Sequence, residues 1–220
     1  MIKKILIAIV LNLFLHGHSQ VLKKEIPDKL VVLSFDDAPA SQYWVVAPML
    51  KEFGFGATFF VCEFPPNYKD STLYMNWRQI KALDRMGFEV ANHTHTHANV
   101  SKLTQKEFNT ELEYIENKCD SLGIAKPQNF AYPGYGLNAK VLTFLEIKGY
   151  HFARAGGRRA YDPLADHPWV DTPPNLFREY LQYLSDHNFK VVSLRDLQKY
   201  IDMDEAKKSI VPDLEKPLKN

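Results

Sequence analysis

Three histidines within five residues form the most distinctive feature of the sequence. They are His93, His95 and His97, and they directly follow an apolar stretch that is typical of a strand. Imidazole nitrogens are common ligands of zinc and related divalent metals. In a helical turn His93 and His97 would bind one ion with His95 pointing elsewhere, whereas in an extended segment all three would share a face. The run predicts a metal site, and the alternative is a solvated loop that contains histidines by chance.

An acidic pair, Asp36 and Asp37, ends another apolar run. Two histidines and one carboxylate leave a coordination position open for water, as hydrolytic zinc sites require. We therefore interpret Asp37 as a metal ligand and Asp36 as the base that accepts a proton from the attacking water. Taken alone, two adjacent aspartates are more typical of a turn or a helix cap.

The elements that must hold these residues alternate between strand and helix. Asn76, Thr104, Asn138 and Ser193 are predicted helix N-caps, the first two with capping-box spacing, and Gly54, Gly87, Gly123 and Gly149 are predicted helix ends. Such alternation predicts parallel strands joined by crossover helices, in an open sheet or a barrel. The predicted strands are Leu30 to Phe35, Ala57 to Cys62, Phe88 to Asn92, Asn129 to Tyr132, Tyr150 to Arg154, and Phe189 to Val192.

The unusual polar residues follow strands instead of preceding them. The aspartate pair follows the first predicted strand, the histidines the third, Pro133 to Gly136 the fourth, and Arg154 the fifth. Folds of this class gather their chemistry beyond the carboxyl ends of the strands. The pattern therefore predicts that these residues meet at one edge of the sheet.

Two of these motifs resemble those of the polysaccharide deacetylases with the NodB homology domain, carbohydrate esterase family 4. The family's Thr/Ser-Phe-Asp-Asp motif is similar to Ser34 to Asp37, and its His-Ser/Thr-x-x-His motif is similar to His93 to His97. The resemblance extends from about Lys29 to Tyr200. It implies an α/β fold, namely a distorted and incomplete (β/α) barrel of the NodB type.

The resemblance also implies an activity and a role for each matched residue. The activity is metal-dependent removal of acetyl groups from an N-acetylated polysaccharide, such as chitin, peptidoglycan or a related glycan. Asp36 is then the general base, Thr94 supports the histidine loop, and His95 has no role. The implied ligands of a divalent metal, commonly zinc, are Asp37, His93 and His97.

A third family motif, Arg-x-Pro-aromatic, is only partly present. Pro133 matches, but Ala131 stands where the family has an arginine that braces the catalytic aspartate. Arg154, after the next strand, is the best-placed substitute, and an ordinary surface arginine is the alternative. By the same resemblance the amide of Gly134 donates to the oxyanion, and Pro133 and Tyr135 contribute to substrate binding.

The family's last motif, Leu-x-His, which carries the general acid, is not found in the sequence. His167 is the candidate substitute, with Asp166 beside it, and a surface loop histidine is the alternative. A second function therefore stays open, that of a catalytically impaired, carbohydrate-binding relative. Its cleft would draw on aromatic residues among Tyr43, Trp44, Trp77, Tyr132, Tyr135 and Trp169.

Two further readings of the substrate stay open. The sequence does not exclude an O-acetylated xylan in place of an N-acetylated glycan. It also permits His95 and His97 to be the His-x-His pair of an amidohydrolase barrel that acts on small molecules. The amidohydrolase reading is less favoured, because such barrels are longer and need further ligands.

The first nineteen residues are predicted to be a secretory signal. Lys3 and Lys4 precede an apolar run, and the small residues Gly17 and Ser19 are placed for cleavage. The run is well short of the ~20 residues of a membrane-spanning helix. We therefore expect a secreted or periplasmic protein with no stable membrane span, a deacetylase domain over residues 20–204 and a loose tail over 205–220.

Composition and net charge bear on the number of domains and on the binding partners that can be expected. The chain is 45% hydrophobic and 24% charged, as expected of one globular domain. Loss of the predicted signal changes the formal charge from +1 to −1, because the signal holds two lysines and no acidic residue. We therefore expect no nucleic-acid partner. The sequence does not indicate an oligomeric state, nor whether Cys62 and Cys119 form a disulfide.

Overall fold

The computed structural model of the protein describes residues 21–63, 68–156 and 172–206. Five α-helices occur in these ranges: α1 Ala47–Glu52, α2 Trp77–Arg85, α3 Gln105–Ser121, α4 Ala139–Ile147 and α5 Pro174–Asp186. A π-helical turn, Gln42–Val46, leads into α1. The same ranges hold seven strands: β1 Leu30–Val32, β2 Ser34–Phe35, β3 Thr58–Val61, β4 Glu89–Asn92, β5 Asn129–Ala131, β6 Phe152–Arg154 and β7 Lys190–Val192. Three short 3-10 turns are Val100–Lys102, Pro133–Tyr135 and Leu194–Lys199.

All observed strand pairs are parallel, and they form one curled layer. Strands β2 to β6 lie side by side in sequence order, and β1 pairs with β7. The two sets meet at Leu33, whose N–H donates to the Val192 carbonyl at 3.4 Å and whose carbonyl accepts from Thr58 N–H at 3.0 Å. Among the described residues β6 pairs only with β5 and β7 only with β1, so the sheet stays open between them. The predicted incomplete barrel is confirmed.

The predicted helix boundaries are largely confirmed, because they depend on short-range interactions. Asn76 and Thr104 each form the reciprocal capping box, and the Asn138 side chain accepts from Val141 N–H. The four predicted helix-end glycines all have positive φ, between 63° and 93°. Ser193 is a cap as predicted, but of a 3-10 turn, and its N–H and hydroxyl both donate to Asp196 Oδ2.

The predicted first strand was wrong in one respect. Leu30 to Phe35 is divided into β1 and β2, because the segment changes its hydrogen-bonding neighbour from β7 to β3 at Leu33. The central strands β3 and β4 are buried at every position, and crossover helices cover them. Two rigid, buried strands therefore lie at the middle of the edge where the polar residues collect.

Both cysteines lie in the core as free thiols. Cys62 and Cys119 are almost fully buried, and no disulfide joins them. Burial raises the pKa of Cys119 to about 12 and shifts that of Cys62 in the same direction. The sequence left open whether the two cysteines form a disulfide, and the structure shows two separate, buried thiols. In the part of the chain that is described, no helix is long and apolar enough to cross a bilayer.

Candidate metal centre

Four chain segments bring the predicted site residues together. Asp36 and Asp37 follow β2, the histidines follow β4, the Pro133–Tyr135 turn follows β5, and Arg154 ends β6. Because these strands are parallel neighbours, their carboxyl ends share one edge of the sheet. His167, Asp166 and Trp169, together with the predicted signal and most of the predicted tail, lie outside the described residues.

Asp37, His93 and His97 point potential ligand atoms at one another. The Asp37 Oδ1 atom lies 3.2 Å from His93 Nε2 and 3.3 Å from His97 Nε2. The three ligand atoms all lie within 4.8 Å of one another, as a shared metal ion requires. His93 and Thr94 are buried, while Asp37 and His97 are partly exposed, which leaves one side accessible.

The donor chemistry of this cluster fits a divalent cation. Two ligands about 2.1 Å from a tetrahedral ion lie about 3.4 Å apart, close to the separations seen here. His93 Nδ1 lies 2.8 Å from the Ala131 carbonyl, which can only accept, so the ring proton is on Nδ1. The Nε2 lone pair then faces Asp37 Oδ1, a buried oxygen that forms no hydrogen bond in the described residues. Two electron-rich atoms in this arrangement favour a cation between them.

The protonation states are those that metal ligands need. Burial opposes ionisation of Asp37, but His93, His97 and Arg154 outweigh it and lower the pKa of that carboxyl. Burial lowers the pKa of His97 despite the opposing charge of Asp37. A carboxylate and a neutral imidazole are therefore the stable forms at neutral pH, and both are the forms that bind metals.

Asp36 has a different environment from its neighbour. Arg154 Nη2 contacts Asp36 Oδ2, and the guanidinium also lies 5.5 Å from the centre of the Phe60 ring. Gln42 Nε2 donates to the Asp36 backbone carbonyl at 2.5 Å. The other carboxylate oxygen, Oδ1, is buried and has no hydrogen-bond partner among the described residues. Asp36 is thus held through one oxygen and has a free acceptor at the other.

The histidine loop is neither the helical turn nor the extended segment considered above. Thr94 and His97 both have positive φ, 63° and 56°. The Asn92 side chain accepts from Thr94 N–H at 2.9 Å, and Thr94 Oγ1 accepts from Ala98 N–H at 3.1 Å. These side-chain bonds turn the loop so that His93 and His97 face Asp37.

His95 belongs to a separate cluster around Glu63. Its ring stacks on Tyr114 with centroids 3.5 Å apart, and its Nε2 atom lies 3.3 Å from Glu63 Oε2. Trp77 Nε1 and the Tyr114 hydroxyl each donate to Glu63 Oε1 at 2.8 Å. His95 is therefore not a fourth ligand, and a His95–His97 metal pair is not formed. The sequence interpretation overlooked Glu63, although it directly follows the predicted strand Ala57 to Cys62.

Positive φ values cluster at this edge. Non-glycine residues with positive φ in the described chain are Asp37, Ala38, Thr94, His97, Tyr135 and Asn188. All but Asn188 belong to the loops that follow β2, β4 and β5. Such conformations cost about 1–3 kcal/mol each and concentrate where function requires a particular side-chain direction.

The aromatic residues predicted for a cleft divide into core and surface. Tyr132 is 2% exposed and burial raises its pKa, so it is a core residue, and Trp77 is tied to Glu63. Trp44 and Tyr135 are 65% and 60% exposed, and Tyr43 packs edge-on against Trp44. Among the described members of this set, Trp44 and Tyr135 are therefore the two whose rings are exposed enough to offer a face to a ligand.

Comparison with known proteins places the chain in a family. The model of the polysaccharide deacetylase family matches residues 23–153, so the chain belongs to that family of hydrolases that remove acetyl groups. A bifunctional xylanase/deacetylase of Pseudobutyrivibrio xylanivorans is 33% identical over 119 residues, 54% of this chain and 19% of the relative. A chitin deacetylase of Pestalotiopsis sp is 25% identical over 123 residues, 56% of this chain and 40% of the relative. The chain thus spans less than half the length of these relatives.

The fold has solved counterparts. A family 4 carbohydrate esterase from Streptomyces lividans, determined in complex with acetate, superimposes with a TM-score of 0.60 at 19% identity. The match covers 80% of this chain and 98% of that structure. The half barrel described above is therefore the fold of carbohydrate esterase family 4.

Proposed function

We propose that this protein is a metal-dependent hydrolase that removes acetyl groups from an N-acetylated polysaccharide. The observation that carries the proposal is the convergence of Asp37, His93 and His97 beside the braced carboxylate of Asp36. One carboxylate and two imidazoles leave positions free for water and substrate, as hydrolytic metal sites do. The names of the relatives, a chitin deacetylase and a bifunctional xylanase/deacetylase, agree with an acetylated glycan.

Asp37, His93 and His97 would hold the ion, and zinc is the metal most often bound by such ligands. When bound, the metal polarises the acetyl carbonyl and makes water a stronger nucleophile. Thr94 supports the ligands from within the loop, since it is buried and its hydroxyl accepts a hydrogen bond from Ala98 N–H. The ligands therefore enter the reaction already oriented.

Asp36 is the proposed general base. Arg154 fixes Oδ2, which leaves Oδ1 to accept the proton of the attacking water. Arg154 thus takes the place of the arginine that the family has at the position of Ala131. Ala131 instead contributes its carbonyl, which orients His93.

Gly134 is the proposed donor to the oxyanion, through its backbone N–H. Its φ and ψ of 55° and 23° lie in the left-handed region, where glycine carries no Cβ penalty and the backbone can approach a ligand. Pro133 fixes the start of this turn, and the Tyr135 side chain is directed outward beside it. We assign both to substrate binding, and His167 remains the proposed acid that protonates the leaving amine.

The absence of a Leu-x-His motif favours one alternative function, that of an impaired relative that binds the glycan and turns it over poorly. For both functions we propose export through residues 1–19 and a deacetylase domain over residues 20–204. The polymer lies outside the cell membrane in either case, so a secreted or periplasmic location suits both.

Acetate release from a panel of acetylated polymers tests the proposal. The purified protein, supplied with zinc or cobalt, should release acetate from chitin oligomers or peptidoglycan. Release from acetyl xylan alone would contradict the N-acetyl assignment. Metal binding without acetate release from any polymer would favour the impaired relative.

A further inference from the structure

Tyr135 combines two features that its role in folding does not explain. The residue is 60% exposed although it lies in the loop that follows β5. Its backbone has a φ of 58°, which is unusual for an aromatic residue and costs free energy. An exposed ring buries little apolar area, so hydrophobic stabilisation on folding does not offset the free-energy cost of this backbone conformation.

The position of the Tyr135 ring depends on a second glycine. A Cβ atom added to Gly156 would lie 2.1 Å from Tyr135 Cδ1 and 2.2 Å from Cε1. Gly156 itself does not have a positive φ, so space and not backbone conformation requires glycine there. The ring therefore rests directly on the backbone that follows β6, with its other surface toward solvent.

This location is next to the proposed reaction centre. Gly156 is two residues beyond Arg154, which contacts the proposed base Asp36. Tyr135 directly follows Gly134, the proposed oxyanion donor, and Tyr132 N–H bonds to the Arg154 carbonyl at 3.1 Å. The exposed ring thus lies at the rim of the site and not inside it.

We propose that the exposed face of Tyr135 is a stacking surface for a pyranose ring that neighbours the acetylated sugar, and that Gly156 holds the ring in that position. The inference rests on the proposed function for its ligand class, a polymer of acetylated hexose. The C–H face of a pyranose is apolar and flat enough to pack on an aromatic ring, and Tyr presents such a surface with little loss of conformational entropy. The stack would distinguish a chain of sugars from a single acetylated group.

The test compares a tetramer of N-acetylglucosamine with a small aryl acetate. Tyr135→Ala should weaken tetramer binding, measured by calorimetry on the metal-loaded protein, by about two- to tenfold. Turnover of the aryl acetate, which has no neighbouring sugar to stack on the ring, should fall by a smaller factor than tetramer binding does. Tyr135→Phe, which keeps the ring, should bind the tetramer like the wild type.

Gly156→Ala provides an independent variant, because its Cβ would displace the ring while Tyr135 remains. It should weaken tetramer binding as Tyr135→Ala does, and the double variant should bind no more weakly than either single variant.

Tyr183→Ala is the matched control, because Tyr183 is a similarly exposed tyrosine, at 56%, that stacks on His187. The His187 carbonyl accepts a hydrogen bond from Lys29, which precedes β1 and therefore lies at the end of that strand away from the site. Tyr183→Ala should have no effect on tetramer binding.

Three outcomes would overturn the inference: a wild type that does not bind the tetramer, tetramer binding unchanged in Tyr135→Ala, or equal losses on tetramer and aryl acetate. Failure of the deacetylase proposal is a separate result. It would appear as wild-type protein that binds the tetramer through Tyr135 but releases no acetate from it.

Discussion

The adjacent aspartates Asp36 and Asp37 face different partners. Asp37 lies 3.2 and 3.3 Å from two imidazole nitrogens, whereas Asp36 contacts a guanidinium and keeps one free oxygen. The first environment suits metal binding and the second suits proton transfer. The arginine that contacts Asp36 is Arg154, at the end of β6, whereas the family has its arginine at the position of Ala131, at the end of β5. The two aspartates thus keep different environments although the arginine comes from another strand.

Arg154→Ala should lower kcat for acetate release by about tenfold or more, because Asp36 loses the charge and contact that orient it. Metal affinity should change little, since Arg154 is not a ligand. Arg178→Ala is the matched control, as Arg178 pairs with Glu52 on an exposed surface. Equal activity of the Arg154→Ala protein and the control would show that the ion pair does not serve catalysis.

Asp36→Asn should keep metal affinity and reduce turnover on the order of a hundredfold or more, the usual contribution of a positioned base. Metal titration and initial rates on the same preparation separate the two effects. Unchanged turnover would remove Asp36 from the mechanism.

At the scale of elements, a buried polar network holds the histidine loop. The Asn92 amide group donates to the Leu112 carbonyl at 3.1 Å and to the Tyr150 hydroxyl at 2.8 Å, while its oxygen accepts from Thr94 N–H. Tyr150 in turn donates to Glu116 at 2.9 Å. The network ties β4 to α3 and to the segment before β6, so the loop rests on three elements.

Tyr150→Phe should therefore destabilise the protein by about 1–3 kcal/mol, because a buried carboxylate oxygen and a buried amide each lose a partner. Urea unfolding measures the change. Tyr183→Phe, on the exposed face of α5, should stay within about 0.5 kcal/mol of the wild type. A Tyr150→Phe protein as stable as this control would mean that the network contributes nothing to folding.

Element types were predictable from the sequence where the signal is local. The capping boxes at Asn76 and Thr104 join residues three positions apart, and the strand patterns depend on runs of neighbouring residues. The split at Leu33 was not predictable, because it depends on a neighbour that arrives with β7, late in the chain.

The site was predictable only in part for the same reason. The motifs, with the family resemblance, proposed the residues of the Asp37–His93–His97 cluster. The direction of His95 depends on Glu63 and Tyr114, which are 32 and 19 positions away along the chain, and no sequence pattern links them. The pairing of Arg154 with Asp36 joins residues 118 positions apart, and resemblance suggested it only as one of two possibilities.

At the scale of the whole molecule, the half barrel presents one edge at which four loops meet, and in the described part of the chain no strand pairing closes it between β6 and β7. The segment between these strands is also where the family's general acid would be expected. If no residue supplies that acid, cleavage of an amide should suffer far more than cleavage of an aryl ester, whose phenolate leaves without a proton.

Aryl acetate turnover should then be readily measured while deacetylation of N-acetylglucosamine oligomers is slow. His167→Ala should slow amide cleavage by about 10²- to 10⁴-fold if His167 has become the acid, and should not slow the aryl ester. Rapid amide turnover in both the wild type and His167→Ala would show that another residue donates the proton.

The central claim, a metal site formed by Asp37, His93 and His97, is tested most directly by zinc affinity in single alanine variants. Equilibrium binding of zinc, measured by competition with a chromophoric chelator, should be lost or greatly weakened in Asp37→Ala, His93→Ala and His97→Ala. His95→Ala should bind zinc nearly as the wild type does, because His95 faces Glu63 and Tyr114. Loss of zinc in His95→Ala together with retention in His97→Ala would contradict the account.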